Sequence, residues 1–316
     1  MQGTGNNSNR RDTILVSLND ARNANLKIHQ GHKVSCLYKN IQMKKITILA
    51  ALVCTFMYSY AQQKNQSPKI PYGNNPAAGK YYNVRGIKIY CEVYGEGQPV
   101  LLTHGNGGSI SAFSKTIPYF AKKYKVIAVD SRAHGKSTDG RDSLSFEMMA
   151  DDLSALLDAM HIRKSYVIGW SDGGINAIVM AMRHPDKVIK FASTGANLWP
   201  DSTALTPATW KDMRDTYAKD KDKPRTTAKE KNDWKIFMLD WLQPNIKLSE
   251  LSAIQCPSLI ICGDRDLIPV EHTNQIFQSI KQGYLWVVPH SGHGTLIEHA
   301  GDFNKKVDDF FSGSSF

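Results

Sequence analysis

Gly169-Trp170-Ser171-Asp172-Gly173, directly behind the apolar run Tyr166-Val167-Ile168, decides the reading of this chain. The run has the length and composition of a buried strand, and the pentapeptide turns it sharply into the helical pattern Ile175-Asn176-Ala177-Ile178-Val179-Met180. So tight a turn drives its apex residue, Ser171, toward positive φ, which is costly for a residue with a side chain. Glycines two residues before and two after remove the Cβ atoms that would collide where strand and helix pass. The Ser171 hydroxyl is then left standing above the sheet, within reach of a base. The plain alternative is a glycine-rich strand-to-helix connection without chemistry.

Three further segments come in an order that suits a serine nucleophile. Val100-Leu101-Leu102-Thr103 is a short apolar strand that runs into His104-Gly105-Asn106-Gly107-Gly108. A glycine-rich turn there can aim main-chain N–H groups into a cavity, which is how an oxyanion hole is built. The N–H of Asn106 would be one donor and that of Asp172, next after the nucleophile, the other. The bland reading of this loop is a tight turn before a helix. Ser258-Leu259-Ile260-Ile261-Cys262 is another apolar strand, followed by Gly263-Asp264-Arg265-Asp266, where an orienting carboxylate belongs. Leu285-Trp286-Val287-Val288 then leads to Pro289-His290-Ser291-Gly292-His293-Gly294, with a histidine between two glycines. Ser, then Asp, then His is the chain order that accompanies a G-x-S-x-G nucleophile elbow.

On these residues the chain resembles the α/β-hydrolase fold superfamily, from about Lys80 to Phe311. Asp130-Ser131-Arg132-Ala133-His134-Gly135-Lys136-Ser137, after the strand Val126-Ile127-Ala128-Val129, is similar to that family's loop after its fourth strand, with Ala133 where the family normally has Gly. The resemblance makes His104 and His134 loop-shaping residues. The elbow Gly-Trp-Ser-Asp-Gly-Gly is similar to that of biphenyl-hydrolase-like and valacyclovir-hydrolase-like members, over the elbow and the helix behind it. Haloalkane dehalogenases and epoxide hydrolases of this fold attack through an elbow aspartate, whereas Ser171 stands at the apex here. The implied fold is α/β: a mostly parallel eight-stranded sheet flanked by helices, with a helical lid insertion.

The expected chemistry follows from the residue types. A serine hydroxyl is a poor nucleophile at neutral pH and needs a base within hydrogen-bond reach. His293 would take the proton of Ser171 and return it to the leaving group, while Asp266 holds the other ring nitrogen. Asp264 is the competing acid; the resemblance favours the second Asp of the loop, Asp266. His290 and His299 are expected nearer the surface. Asp172 has two readings: a carboxylate that meets a cationic group such as a substrate amine, or, favoured, a cap for the helix after the elbow. Trp170, Trp199 and Trp234 are candidate pocket residues.

The first sixty or so residues do not read as part of this fold. Met43-Lys44-Lys45 opens a basic start, Ile46 to Tyr58 is apolar, and Ser59-Tyr60-Ala61 precedes Gln62, the pattern of a secretory signal peptide over 43–61. The apolar run falls short of the ~20 residues that span a bilayer. Residues 1–42 are polar and Asn-rich, and are expected to be a non-native or unstructured extension; 62–79 reads as linker and 80–316 as the hydrolase domain. Residues 1–61 carry eight Lys/Arg and two Asp/Glu, so 31 basic and 27 acidic residues remain and the basic balance nearly vanishes. That argues against a nucleic-acid partner, which needs clustered basic surface. Cys91, Cys256 and Cys262 remain beyond the leader, an odd number without framework spacing, and no metal-ligand spacing surrounds His293.

Strands near Tyr81–Val84 and Lys88–Val93 read as an opening hairpin, a sixth strand falls near Val188–Ala192, and helices alternate with strands between. From Ser145, Phe146, Met149, Ala150, Leu153, Leu156, Leu157 and Met160 recur on one helical face. Alternation breaks between Asn197 and Ile254, where the family places its lid. There Trp234, Phe237, Met238, Trp241 and Leu242 form a stripe expected to pack on the core, and Lys211 to Lys223 reads as a solvated face. The lid aromatics suggest an apolar acyl pocket of modest size.

The expectation is an exported, periplasmic or secreted serine hydrolase that cleaves a small ester, thioester or amide without cofactor or metal, on a small-molecule substrate and with no stable membrane span. An acyltransferase or cofactor-free perhydrolase on the same triad, or a fold that kept only binding, is the alternative. If 43–61 is a cleaved leader, N-terminal sequencing of the exported protein will begin at Gln62; a mature chain that still contains Ser17 or Lys33 would overturn it.

Overall fold

The computed structural model describes residues 70–314; the readings made for 1–42, 43–61 and 62–69 lie outside the described residues. Eight strands form one sheet: β1 (Gly79–Val84), β2 (Ile87–Tyr94), β3 (Gln98–Thr103), β4 (Tyr124–Val129), β5 (Ser165–Trp170), β6 (Val188–Thr194), β7 (Ser258–Gly263) and β8 (Gly283–Val288). Their spatial order is β1-β2-β4-β3-β5-β6-β7-β8. β1 and β2 form the expected antiparallel hairpin, and β2 also runs antiparallel to β4; from β4 across to β8 every pairing is parallel. A parallel sheet requires crossovers on its faces, so its strands are buried on both sides and read as unbroken apolar runs. β7 shows this best, with all six residues buried.

One face carries α2 (Phe146–Ala159) and α3 (Asp172–Arg183), whose Leu153, Leu156, Leu157, Ile175 and Ile178 pack with Leu101, Ile127 and Val167. α2 starts where expected because Ser145 Oγ accepts the Met148 N–H at 3.1 Å, and it buries Phe146, Met149 and Ala150 as its periodicity demands. The opposite face is covered by α1 (Ile117–Phe120) and, at the chain end, by α7 (Thr295–Glu298) and α8 (Ala300–Ser312), where Phe113, Phe120, Phe303 and Val307 are fully buried. α6 (Val270–Gln278) joins β7 to β8.

Between β6 and β7 stand α4 (Pro207–Asp220) and α5 (Ala228–Leu242). Among the described residues α4 buries none, in keeping with the solvated face read for Lys211 to Lys223. α5 starts at a reciprocal cap, with Thr227 Oγ1 accepting the Glu230 N–H and Glu230 accepting the Thr227 N–H. The apolar stripe expected to face the core does not. Ile236 and Leu239 are the buried residues of α5, while Trp234, Phe237 and Trp241 turn toward α4. There Trp241 stacks on Tyr217 at 4.4 Å and on Trp210 at 5.4 Å, and Leu242 is 56% exposed. The reason is that α5 serves two neighbours, so its aromatic side answers to a second helix that periodicity does not reveal.

Residues 70–78 are held against β2 through one carboxylate. Glu92, fully buried, accepts the N–H of Gly73 at 2.8 Å and of Asn75 at 2.7 Å, together with the hydroxyls of Tyr90 at 2.9 Å and Tyr94 at 2.7 Å. Four donors on two oxygens leave no room for an amide, which would point its own donors at them. Glu92→Gln should therefore cost about 2–3 kcal/mol in urea unfolding by leaving buried donors unpaired; an unchanged midpoint would show that the strap contributes nothing.

Candidate active site

The four loops singled out in the sequence converge at the carboxyl ends of β3, β5, β7 and β8, where open parallel sheets place their ligands. Ser171 has φ 57°, the strained apex that the elbow reading requires. Both flanking glycines are obligatory. A Cβ on Gly169 would lie 2.0 Å from the Gly173 carbonyl oxygen, and one on Gly173 would lie 1.8 Å from the Thr103 carbonyl oxygen. The strand end, the helix start and the neighbouring strand touch backbone to backbone here. Ser171 N–H donates to Thr194 O at 2.9 Å, which ties the apex to β6.

His293 Nε2 lies 2.9 Å from Ser171 Oγ, and its Nδ1 lies 2.7 Å from Asp266 Oδ1. The Asp266 side chain is fully buried and accepts the N–H of Ile268 at 3.1 Å and of Gly263 at 3.4 Å, so it is aimed before any substrate arrives. Asp264, the competing acid, instead accepts the Ser291 N–H at 3.2 Å. His290 and His299 stay outside this chain of contacts: Arg265 donates to His290 Nδ1 at 3.0 Å, and His299 Nε2 sits 3.3 Å from the His290 carbonyl. Trp170 donates its indole N–H to the His293 carbonyl at 2.8 Å and so supports the loop that carries the imidazole. With Asp266 accepting at Nδ1–H, the free lone pair of Nε2 faces the serine hydroxyl, the arrangement of a general base and its nucleophile.

A cavity of about 210 Å³ opens beside Ser171 and His293. Its walls include Asn197, Leu205, Leu267 and Ile268, Thr209 and Met213 from α4, Asp172 at the start of α3, and Asp240 from α5. Trp170, Trp199 and Trp234 are not among its lining residues. Trp199 packs edge-on against His272 at 4.5 Å, and Trp234 lies under the Arg225 guanidinium at 3.8 Å in a groove of about 290 Å³ between α4 and α5. The pocket expected to be aromatic and apolar carries two carboxyl groups instead.

Asp172 sits in the first turn of α3, where an acid suits the helix dipole, but it is not the cap that was favoured for it. Ser171 occupies the N-cap position of α3, and the Asp172 carboxyl turns to Asn106, whose Nδ2 donates to Oδ2 at 3.0 Å, and to Asp240, with which it is hydrogen-bonded. Burial raises both carboxyls above the usual range, and the Asp172 charge pushes Asp240 further, well above it. Of the two, Asp240 is the carboxyl that burial and the facing Asp172 charge push further toward its protonated form. Sequence reading missed Asp240. The available signal was a lone acid inside Ile236-Phe237-Met238-Leu239-Asp240-Trp241-Leu242, an apolar stretch in which an unpartnered carboxylate would be costly. Among the described residues, no group of three or more His, Cys, Asp or Glu could hold a metal ion, and no helix is long and apolar enough to cross a membrane.

Known proteins share this frame. A family profile described as alpha/beta hydrolase fold matches residues 98–233. The chain is 30% identical over 262 residues to the serine hydrolase BPHL of Homo sapiens, which covers 77% of this chain and 89% of that protein. It is 26% identical over 270 residues to a 2-hydroxymuconate semialdehyde hydrolase of Pseudomonas sp. (strain CF600), with 76% and 95% covered. Among solved structures, a meta-cleavage product hydrolase (CumD) superposes with TM-score 0.62 at 24% identity, over 76% of this chain and all of that one.

The loop that presents Asn106 is anchored by a neutral histidine. His104 is buried; its Nε2 accepts the Ser131 N–H at 3.1 Å while Nδ1 donates to the Gly105 carbonyl at 2.8 Å. Burial, then the neighbouring His134, hold it down to about 3. The unfolded chain takes up this proton near pH 6.5, so the contribution of His104 is complete above that pH and is lost as pH falls from there toward 3. Between pH 6 and 5 the unfolding free energy of the wild type should drop with a slope about 1 kcal/mol per pH unit steeper than that of His104→Asn; parallel slopes would contradict the neutral assignment.

Proposed function

The chain belongs to the α/β-hydrolase superfamily and is a hydrolase, and from that premise we propose that it is a serine hydrolase cleaving a small ester, thioester or amide through an acyl-enzyme. The observation that carries this reading is the unbroken hydrogen-bonded chain Ser171 Oγ, His293 Nε2, His293 Nδ1, Asp266 Oδ1, at 2.9 and 2.7 Å. Ser171 Oγ attacks the acyl carbon as its proton passes to His293 Nε2. The carbonyl oxygen takes up the charge against the main-chain N–H groups of Asn106 and Asp172. Collapse expels the alcohol, thiol or amine, which leaves with the proton from His293. Water then repeats the sequence on the acyl-enzyme: His293 takes its proton, the acid is released and Ser171 recovers its hydrogen. Asp266 holds the Nδ1–H of His293 and stabilises the imidazolium.

The cavity supports a reading of the substrate class. About 210 Å³ suits a small acyl or leaving group. Asp172 and Asp240 beside the nucleophile favour a substrate with a cationic group near the scissile carbonyl, since an ammonium can donate to the Asp172 carboxylate. We place the work of the enzyme outside the cytoplasm, on the leader-like sequence 43–61.

A fluorophosphonate probe should label the protein at Ser171. Ser171→Ala and His293→Ala should lower turnover of a chromogenic ester about a million-fold, and Asp266→Ala about ten-thousand-fold; substantial activity in Ser171→Ala would refute the assignment. Against a panel of acyl esters, Asp172→Asn should impair aminoacyl esters about ten- to a hundredfold more than neutral esters of equal length, in line with loss of a charge-assisted contact. Equal losses on both would remove the cationic substrate.

A further inference from the structure

The two main-chain N–H groups assigned to the oxyanion come from separate loops, one after β3 and one after β5. Their side chains nevertheless meet on a third element. Asn106 spends both hydrogens of its amide: one goes to Asp172 Oδ2 at 3.0 Å and the other to the carbonyl of Ile236 on α5 at 3.1 Å. Asp172 is in turn hydrogen-bonded to Asp240, four residues further along α5 and therefore on the same face of that helix. Asn106, Asp172, Asp240 and Ile236 thus close a ring of contacts, and the ring contains both residues that would present N–H groups to the reacting carbonyl.

We infer that the turn of α5 from Ile236 to Asp240 orients the oxyanion hole, with Asp240 as a positioning residue that acts through the Asp172 carboxyl and the Asn106 amide. This rests on the serine-hydrolase reading above and adds to it the element that holds the donors still. The direction of a peptide N–H in a short loop is set by its peptide plane, and a side chain pinned at both ends restricts that plane. The nucleophile and base need no help from α5, because Ser171 is held by β6 and His293 by Asp266 and Trp170. The donors do. Misplacement by about an ångström at such a site costs on the order of a hundredfold.

The protonation of the pair suits this role. Two ionised carboxylates beside a developing oxyanion would oppose it, whereas a protonated Asp240 donating to Asp172 leaves one charge and supplies the bond that closes the ring. α5 also has its own attachments away from the site: Asn232 Nδ2 donates to the Ala133 carbonyl at 2.8 Å, and Lys235 pairs with Asp139 and donates to the Arg141 carbonyl at 2.9 Å. Removing the Asp240 carboxyl therefore opens the ring while the helix stays docked.

The test uses the full chain, a neutral chromogenic ester and a neutral trifluoromethyl ketone, whose adduct with the serine places an oxyanion where the donors point. Asp240→Ala should lower kcat about tenfold with KM within about twofold, and weaken the ketone by about the same tenfold. Asp240→Asn, which can still donate to Asp172, should restore both to within about threefold. Stoichiometric fluorophosphonate labelling of each variant shows that it is folded with its nucleophile in place. An Asp240→Ala enzyme with wild-type kcat and wild-type ketone affinity overturns the inference, as does an Asp240→Asn enzyme no better than Asp240→Ala. Every rate is referred to Ser171→Ala. Activity independent of Ser171 would sink the parent reading and this one together, while an Asp240 series identical to wild type sinks this one alone.

Discussion

The constraint on which the rest depends is the contact of backbone with backbone at the elbow. With no Cβ on Gly169 or Gly173, α3 can begin against the ends of β5 and β3, closer than any side chain would permit. That approach forces Ser171 to φ 57° and lifts its hydroxyl clear of the sheet. The strain is offset by the Thr194 carbonyl that holds the Ser171 N–H and by the packing of α3 on the sheet core. Loosening the approach would move the serine and the Asp172 N–H together, because they are consecutive residues.

Around that fixed point the sheet supplies the other groups without further strain at the acid. β7 and β8 are neighbours in the sheet, so the loops after them meet and place Asp266 beside His293 although 27 residues separate them. Asp266 is oriented by two main-chain N–H groups, and this distinguishes it from Asp264, which is turned to the His290–Ser291 segment. The nucleophile side of the site is built on strand ends, the rigid part of the fold. The cavity wall also takes Thr209 and Met213 from α4 and Asp240 from α5, elements that hold one another through stacked rings.

Much of this was legible in the residues. All eight strands, the opening hairpin and the amphipathic face of α2 follow from apolar runs and periodicity, because burial on two faces or on one leaves a pattern in the order of residues. The elbow was readable because steric exclusion around a tight turn admits glycine and little else. Three readings went differently, and each concerned what a side chain meets across space. Asp172 reads as a cap from its place at the helix start, yet Ser171 holds the cap position and the Asp172 carboxyl follows the Asn106 amide and Asp240. The stripe of Trp234, Phe237 and Trp241 has the spacing of a core face, yet the core took Ile236 and Leu239. Trp199 and Trp234 are bulky enough to line a pocket, yet the cavity wall holds carboxyls, threonine and aliphatic side chains.

The sequence by itself determined the sheet, the strained serine and the strand-end loops that carry Asp266 and His293, because these depend on local sterics and on which segments must be buried. Tertiary structure alone decided that Asp240, on a helix inserted between β6 and β7, faces the carboxyl beside the nucleophile. A hydrogen bond between residues 68 positions apart has no periodicity and no spacing to announce it. Burial lifts both carboxyls above their usual range, and burial is a property of the folded packing that residue order leaves open.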